Sequence, residues 1–170
     1  MVELKECSMD DLELLRQISI DTFVDTFGPY NTEENTTLYI NQSLSIESLR
    51  NQLNDPHSTF YFAYNNQELI GYIKLNTKTA QSKVSIENSI EIERIYLLKE
   101  MQSKGFGQDI LNRIVETAKK RNKSSIWLAV WEENKGAISF YKKNQFKKID
   151  TIEFPFGNDL QTGIIMRKIL

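Results

Sequence analysis

The stretch from residue 90 to residue 121 reads IEIERIYLLKEMQSKGFG followed by QDILNRIVETAKKR, and it decides the fold. Residues 90–97 are rich in β-branched and aromatic residues and lack glycine and proline, which predicts a strand. Its last part predicts an α-helix, since apolar residues recur at helical spacing at Ile110, Leu111, Ile114, Val115 and Ala118. The turn Gln102–Gly107 lies between them and leads directly into the helix.

A strand followed by a glycine-rich turn and a helix N-terminus is a favourable site for phosphate. Glycine lets the backbone N–H groups approach the anion, and the helix dipole adds partial positive charge. The Walker A pattern does not fit, because Gly107 is followed by Gln108 and Asp109. The dinucleotide fingerprint does not fit either, because Ile110 occupies the position of its third glycine. The alternative is a strand-to-helix turn without a ligand.

Composition restricts the class of protein. The 170 residues predict one domain spanning residues 1–170, and the net charge of −2 argues against a general nucleic-acid binder. The single cysteine, Cys7, cannot form an internal disulfide, which fits a reducing compartment. We therefore expect a cytoplasmic protein without a membrane segment, since no signal-like start or membrane-length apolar run is seen.

The segments before residue 90 predict a strand, three helices and a hairpin. The first helix ends near Phe27, with core positions expected at Leu14, Leu15, Ile18 and Phe23. Asp21 and Asp25 share a face of this helix, either as a solvated surface or as an acidic rim for a cationic amine. Ser8 with Asp11 predicts a capping box, and Thr32 and Ser45 predict further helix caps. Gly71, inside the hairpin, indicates a bulge or a close backbone approach.

The segments after the central helix alternate strand and helix. Residues 125–130 are nearly all apolar, so we expect a strand buried on both faces. A helix with Ala137, Phe140 and Tyr141 on one face follows. Two closing strands, Phe146–Glu153 and Gly163–Ile169, are predicted with residues 155–161 as their connection.

Two motifs resemble those of the GNAT superfamily of acetyl-CoA-dependent N-acetyltransferases. Gln102, Gly105 and Gly107 match its Q-x-x-G-x-G diphosphate signature. About thirty residues later, a second segment matches N-x-x-A-x-x-F-Y-x-x-x-G-F at Asn134, Ala137, Phe140, Tyr141 and Phe146. The resemblance implies an α/β fold with a mixed, mostly antiparallel, twisted central sheet, helices on its faces and splayed middle strands. Gln145 stands where the family has glycine, and Asn144 is expected to take the left-handed corner instead.

Longer runs of the chain are similar to the Pai-type spermidine/spermine N-acetyltransferases. These runs are ECSMDDL, IEIERIY, NKSSIWLAVWEEN and AISFYKK. The similarity implies acetyl transfer to a polyamine, which is less specific than the cofactor assignment because acceptor pockets diverge easily. A protein or antibiotic amine is the alternative acceptor, and a non-catalytic sensor of acetyl-CoA or polyamine is the alternative class.

The resemblance also implies a set of site residues. Backbone groups at Ile95, Tyr96 and Leu97 would bind the pantetheine arm, and Asn134 would either bind that arm or cap its helix. The diphosphate of acetyl-CoA or CoA would be held by the turn and the first helical residues, namely Gln102, Ser103, Lys104, Gly105, Phe106, Gly107 and Gln108.

Two side chains are candidates for the proton transfers. Acetyl transfer needs a neutral amine, so Glu93 is the candidate base, acting through a water; an ion pair or a surface position is its alternative. Tyr141 is the candidate general acid, because a phenol can protonate a leaving thiolate without being ionised; a core tyrosine is its alternative. Strand alternation would place Glu91, Glu93, Ile95 and Leu97 on one face.

Other chemistries find little support in the sequence. No Cys-His-Asp or Ser-His-Asp set is suggested, which favours direct transfer in a ternary complex over a covalent acyl-enzyme. No metal-ligand spacing is seen, so no metal is expected. The expected partner is a small amine, and whether the chain forms a homodimer stays open.

Overall fold

The computed structural model describes residues 2–170, and the sequence predicts most of its elements. The order along the chain is β1 Val2–Glu6, α1 Leu12–Phe27, α2 Glu33–Ser43, α3 Ile46–Asn54, β2 Ser58–Asn65, β3 Glu68–Asn76, β4 Ser89–Leu97, α4 Phe106–Lys120, β5 Ser125–Trp131, α5 Lys135–Lys143, β6 Lys147–Phe156 and β7 Asp159–Ile169. Three predicted caps are confirmed: Ser8 and Asp11 form a capping box, and the Thr32 and Ser45 hydroxyls accept from the first turns of α2 and α3.

The seven strands form one sheet in the order β1-β2-β3-β4-β5-β7-β6. The central pair β4–β5 is parallel, and the other five pairs are antiparallel. The parallel pairing covers only Ser89–Glu91 against Ser125–Trp127. Beyond it, β4 continues to Leu97 and β5 to Trp131 without pairing to each other. The mixed, mostly antiparallel sheet with splayed middle strands is therefore confirmed.

Helices cover both faces of the sheet. One core packs α4 and α5 against the sheet around Ile110, Ile114 and Tyr141. The other packs α1, α2 and α3 around Leu15, Phe60 and Tyr72. One core prediction is wrong: Leu14 is 44% exposed, because it lies on the outer side of α1.

A bulge in β4 overturns the predicted alternation of its side chains. Lys74 pairs with Arg94 and Leu75 pairs with Ile92, so Glu93 is the extra residue of the bulged strand. Ile92 and Ile95 consequently pack in the same core. Glu93 therefore lies at a break in the pleat, and it does not share one continuous face with Ile95 and Leu97.

The corner after α5 differs from the expected one. Asn144 has φ −90°, and Gln145 takes the left-handed conformation with φ +69°. The reason is the hydrogen bonding of the helix end: Phe146 N donates to Tyr141 O and Gln145 N donates to Lys142 O. These two bonds define a Schellman motif, which requires the left-handed residue at position 145.

The last hairpin is tighter than predicted. β6 extends to Phe156 and β7 begins at Asp159, so the connection is only the two residues between them. Gly157 adopts φ +59°, and Asn158 N donates to the buried Asn35 Oδ1 at 3.3 Å. These contacts fix the hairpin tip against α2, and this position makes the tip one wall of a cavity described below.

Candidate active site

A cleft of about 830 Å³ lies between the splayed ends of β4 and β5. It exists because the two strands separate after their short parallel pairing. Most of the predicted site residues line it, including Glu93, Ile95, Tyr96, Leu97, Gln102, Ser103, Gly107, Asn134 and Tyr141. Four predicted cofactor residues, Lys104, Gly105, Phe106 and Gln108, do not line this cleft.

The edge of β4 offers backbone groups to the cleft. Leu98 N donates to Ile70 O of β3 at 3.0 Å, and pairing alternates along the strand. The N–H and C=O groups of Ile95 and Leu97 therefore point away from β3, toward the space where β5 no longer pairs. Gly71 permits this packing, because a Cβ there would clash with Tyr96 O, which confirms the predicted close approach.

The turn before α4 has a conformation suited to an anion. Gly105 adopts φ +88° and Ser103 adopts φ +60°, and Gln102 Nε2 donates to Leu97 O at 3.2 Å. Among residues 2–170, no hydrogen-bond partner is found for the N–H groups of 103–107. Gln108 N differs, since it donates to Gly105 O at 3.0 Å. A row of unpaired N–H groups at a helix N-terminus favours phosphate.

Tyr141 and Asn134 come from α5 on the opposite wall. Tyr141 is 7% exposed and packs edge-on against Phe140 and Phe146. Burial raises the pKa of the Tyr141 phenol, so the hydroxyl remains protonated and able to donate. Asn134 caps α5, with Oδ1 accepting from Ala137 N at 3.1 Å. Its capping role leaves its side-chain amide N–H groups available toward the cleft.

A second cavity, of about 230 Å³, adjoins the first. Its walls are largely aromatic and come from α1, α2, the sheet and the β6–β7 hairpin, including Phe23, Tyr39, Tyr72, Phe154 and Phe156. Both cavities are lined by Phe27, Glu93, Tyr96, Ala129, Val130 and Trp131. The bulged Glu93 therefore lies where the two cavities meet.

Glu93 is held by a buried network. Lys74 Nζ and Asn76 Nδ2 each lie 2.5 Å from Glu93 Oε2, and Arg94 Nη2 lies 3.8 Å from Oε1. Lys74 also donates to Gln52 Oε1 at 2.9 Å. Burial by itself would raise the pKa of Glu93, but Arg94 and Lys74 outweigh it and lower the pKa. Glu93 is therefore an ionised carboxylate and a weak base.

The neighbouring Glu91 is bound more completely. Its oxygens accept from Ser82 N at 2.8 Å, from Ser82 Oγ at 2.5 Å and from Asn76 Nδ2 at 3.0 Å. Burial raises the pKa of Glu91, and these hydrogen bonds oppose the increase. With 1% exposure and three hydrogen bonds from the protein, Glu91 is suited to hold the β3–β4 connection in place.

Sequence reasoning missed Lys74, a charged residue in the otherwise apolar strand IGYIKL. A lysine in such a strand signals a buried partner, because an isolated charge is expensive to bury. His57 and Cys7 line neither cavity, and burial raises the pKa of Cys7 to about 12. Within residues 2–170, no cluster of three or more metal-ligating side chains is found, and no helix is long and apolar enough to cross a membrane.

Comparison with known proteins identifies the family to which this fold and cleft belong. Residues 13–146 match the Acetyltransferase (GNAT) family, and the chain belongs to that family. It is 34% identical over 169 residues to an uncharacterized N-acetyltransferase in the pepI 3′ region of Lactobacillus delbrueckii subsp. lactis, covering 99% of this chain and 98% of the relative.

A further relative and a solved structure come from Thermoplasma acidophilum. The relative is a spermidine N(1)-acetyltransferase, 30% identical over 154 residues, which cover 88% of this chain and 91% of the relative. The structure is the PaiA N-acetyltransferase in complex with coenzyme A, with a TM-score of 0.79 and 28% identity. The superposition covers 100% of this chain and 99% of that one.

Proposed function

We propose that the protein transfers the acetyl group of acetyl-CoA to a primary amine of a small molecule, in a ternary complex. The part of the β4 edge that pairs with no strand, together with the row of free N–H groups at 103–107, carries this proposal. The edge is suited to the amides of the pantetheine arm, and the turn to the diphosphate. Family membership and the coenzyme A bound to the similar PaiA structure support the same cofactor.

The proton transfers are assigned to two side chains that line the cleft. The substrate ammonium first loses a proton to a water held by Glu93. The neutral amine nitrogen then attacks the thioester carbonyl carbon, the C–S bond breaks, and the departing thiolate takes a proton from Tyr141. The nitrogen loses its second proton as the amide forms, and this proton restores the Tyr141 phenol. Because the pKa of Glu93 is lowered, its contribution belongs at the lower end of general-base catalysis, about 10²-fold.

A polyamine such as spermidine is the acceptor that the relatives support. One of them is a spermidine N(1)-acetyltransferase, 30% identical to this chain. The mouth of the cleft carries the exposed carboxylates of Asp25 and Glu133, which would attract a cationic chain. We therefore place spermidine first in an acceptor panel that also contains monoamines, amino acids and peptide α-amines.

The test is release of CoA thiol across this panel, with the native chain and with Tyr141→Phe. We expect Tyr141→Phe to lower kcat by about 10²- to 10⁴-fold and to leave acetyl-CoA affinity nearly unchanged. The matched control is Tyr61→Phe, since Tyr61 lines neither cavity. Equal turnover in Tyr141→Phe and the native chain would remove Tyr141 from the chemistry. Tight acetyl-CoA binding without thiol release for any amine would instead support a sensor.

A further inference from the structure

Two buried polar atoms that face the smaller cavity lack hydrogen-bond partners. Arg94 Nη1 and Ser19 Oγ are buried and find no partner of acceptable geometry among residues 2–170. Both residues line the cavity, and their exposures are 8% and 0%. A buried polar group without a partner has lost its hydrogen bonds to water and gained none in return, so such groups are expected to bind water or a ligand.

The charges around this cavity do not favour binding of a cationic group beside Arg94. The buried carboxylate of Glu91 and the partly buried carboxylate of Glu93 are balanced by two buried cations, Lys74 and Arg94. Both carboxylates already accept hydrogen bonds from the protein. Lys83 adds a further positive charge at the rim, where it lies over the Phe154 ring.

The available donors suit an anion instead. Arginine stays protonated even when buried, and its planar guanidinium matches a carboxylate. The cation stacks near the Phe60 ring, with Cζ 6.0 Å from the centroid, which holds its orientation. Tyr72 also lines the cavity, and its hydroxyl interacts with both Arg94 and Ser19.

We propose that Arg94 and Ser19 form a carboxylate-binding subsite in the acceptor cavity, so that an amine with a carboxylate at its far end is preferred over the polyamines that the relatives suggest. This inference rests on the proposed acetyl transfer, because the cavity meets the cofactor cleft at Glu93. The amine would reach Glu93 while the carboxylate lies against Arg94. A polyamine placed in the same cavity would bring an ammonium to the guanidinium, so polyamines would bind along the cleft mouth.

The experiment compares acceptors of equal length that differ only at the far end. The pairs are γ-aminobutyrate with putrescine and ε-aminocaproate with hexamethylenediamine, and kcat/KM is measured for each. We expect the carboxylate member to be favoured by about tenfold or more, as for one charge-assisted hydrogen bond. The ratio within each pair should fall toward one in Arg94→Met and fall partly in Ser19→Ala.

Arg167→Met is the matched control, because Arg167 also lies on the central sheet but donates to Ser125 outside the cavity. Coenzyme A affinity and thermal unfolding report whether each variant is folded. The proposal is overturned if the native chain uses the diamines equally well or better, or if the ratio is unchanged in both variants. If no amine is acetylated, the proposed function fails, and calorimetric binding of γ-aminobutyrate and putrescine to the CoA complex decides the subsite separately.

Discussion

Two glycines of one turn are predicted to have opposite roles. Gly105 is the N-cap of α4, with φ +88° and open space where a Cβ would stand, so conformation alone requires glycine there. Gly107 lies inside α4, where a Cβ would meet only Phe140 Cζ at 3.9 Å and Leu97 Cδ1 at 4.0 Å. These are ordinary contacts, so the fold does not require glycine at Gly107. A ligand that binds close to the backbone of Gly107 would require glycine there.

The expected changes in stability and coenzyme A affinity follow from these two conformations. Gly105→Ala places alanine in the left-handed region and should destabilise the chain by about 1–2 kcal/mol. Gly107→Ala replaces a helical glycine and should stabilise it by up to about 1 kcal/mol. Loss of one N–H bond to the diphosphate costs about 1.5–3 kcal/mol, so coenzyme A affinity should fall by about 10- to 150-fold.

The assays are denaturant unfolding and calorimetric titration with coenzyme A. Gly28→Ala is the matched control, because Gly28 has φ −52° and lies at the end of α1. It should bind coenzyme A like the native chain. If Gly107→Ala bound coenzyme A with native affinity, the turn would not hold the diphosphate, and the assignment of the cleft would be refuted. A destabilised Gly107→Ala would contradict the packing argument.

Three other variants test the ionised network around Glu93 and the corner after α5. Glu93→Gln should lower kcat near neutral pH by about 10²-fold and recover at high pH, where the amine is already neutral. Because the pKa of Glu93 is lowered on folding, its ion pairs stabilise the fold above the ordinary pKa, about 4.3, and lose this effect as pH falls through the folded value. The stability advantage of the native chain over Lys74→Met/Glu93→Gln should therefore shrink in acid unfolding, and a constant difference would contradict the ionised pair. Gln145→Gly relieves the strain of a side chain at φ +69° and should stabilise the fold by about 0.5–1 kcal/mol, even though the exposed hydrogen bond from Lys168 is lost. Unchanged or lower stability in denaturant unfolding would contradict this.

The sequence by itself determined the strand–turn–helix unit, because its information is local. Hydrophobic period identifies β4 and α4, and glycine at Gly105 is required by the backbone of the turn. Helix caps at Thr32 and Ser45 are local for the same reason. The two motifs also identified the family, since their order and spacing survive without any knowledge of packing.

Tertiary structure decided which side chains meet. The bulge at Glu93 arises from pairing with β3, and no pattern within β4 indicates it. Arg94 adjoins Glu93 in β4, but Lys74 and Gln52 reach the same network from β3 and α3, so the surroundings of this carboxylate depend on the assembled sheet. The cavity with Arg94 and Ser19 exists only because α1 and the last hairpin close over the same strands. Local patterns encode backbone conformation, whereas charges and cavities depend on contacts between distant segments.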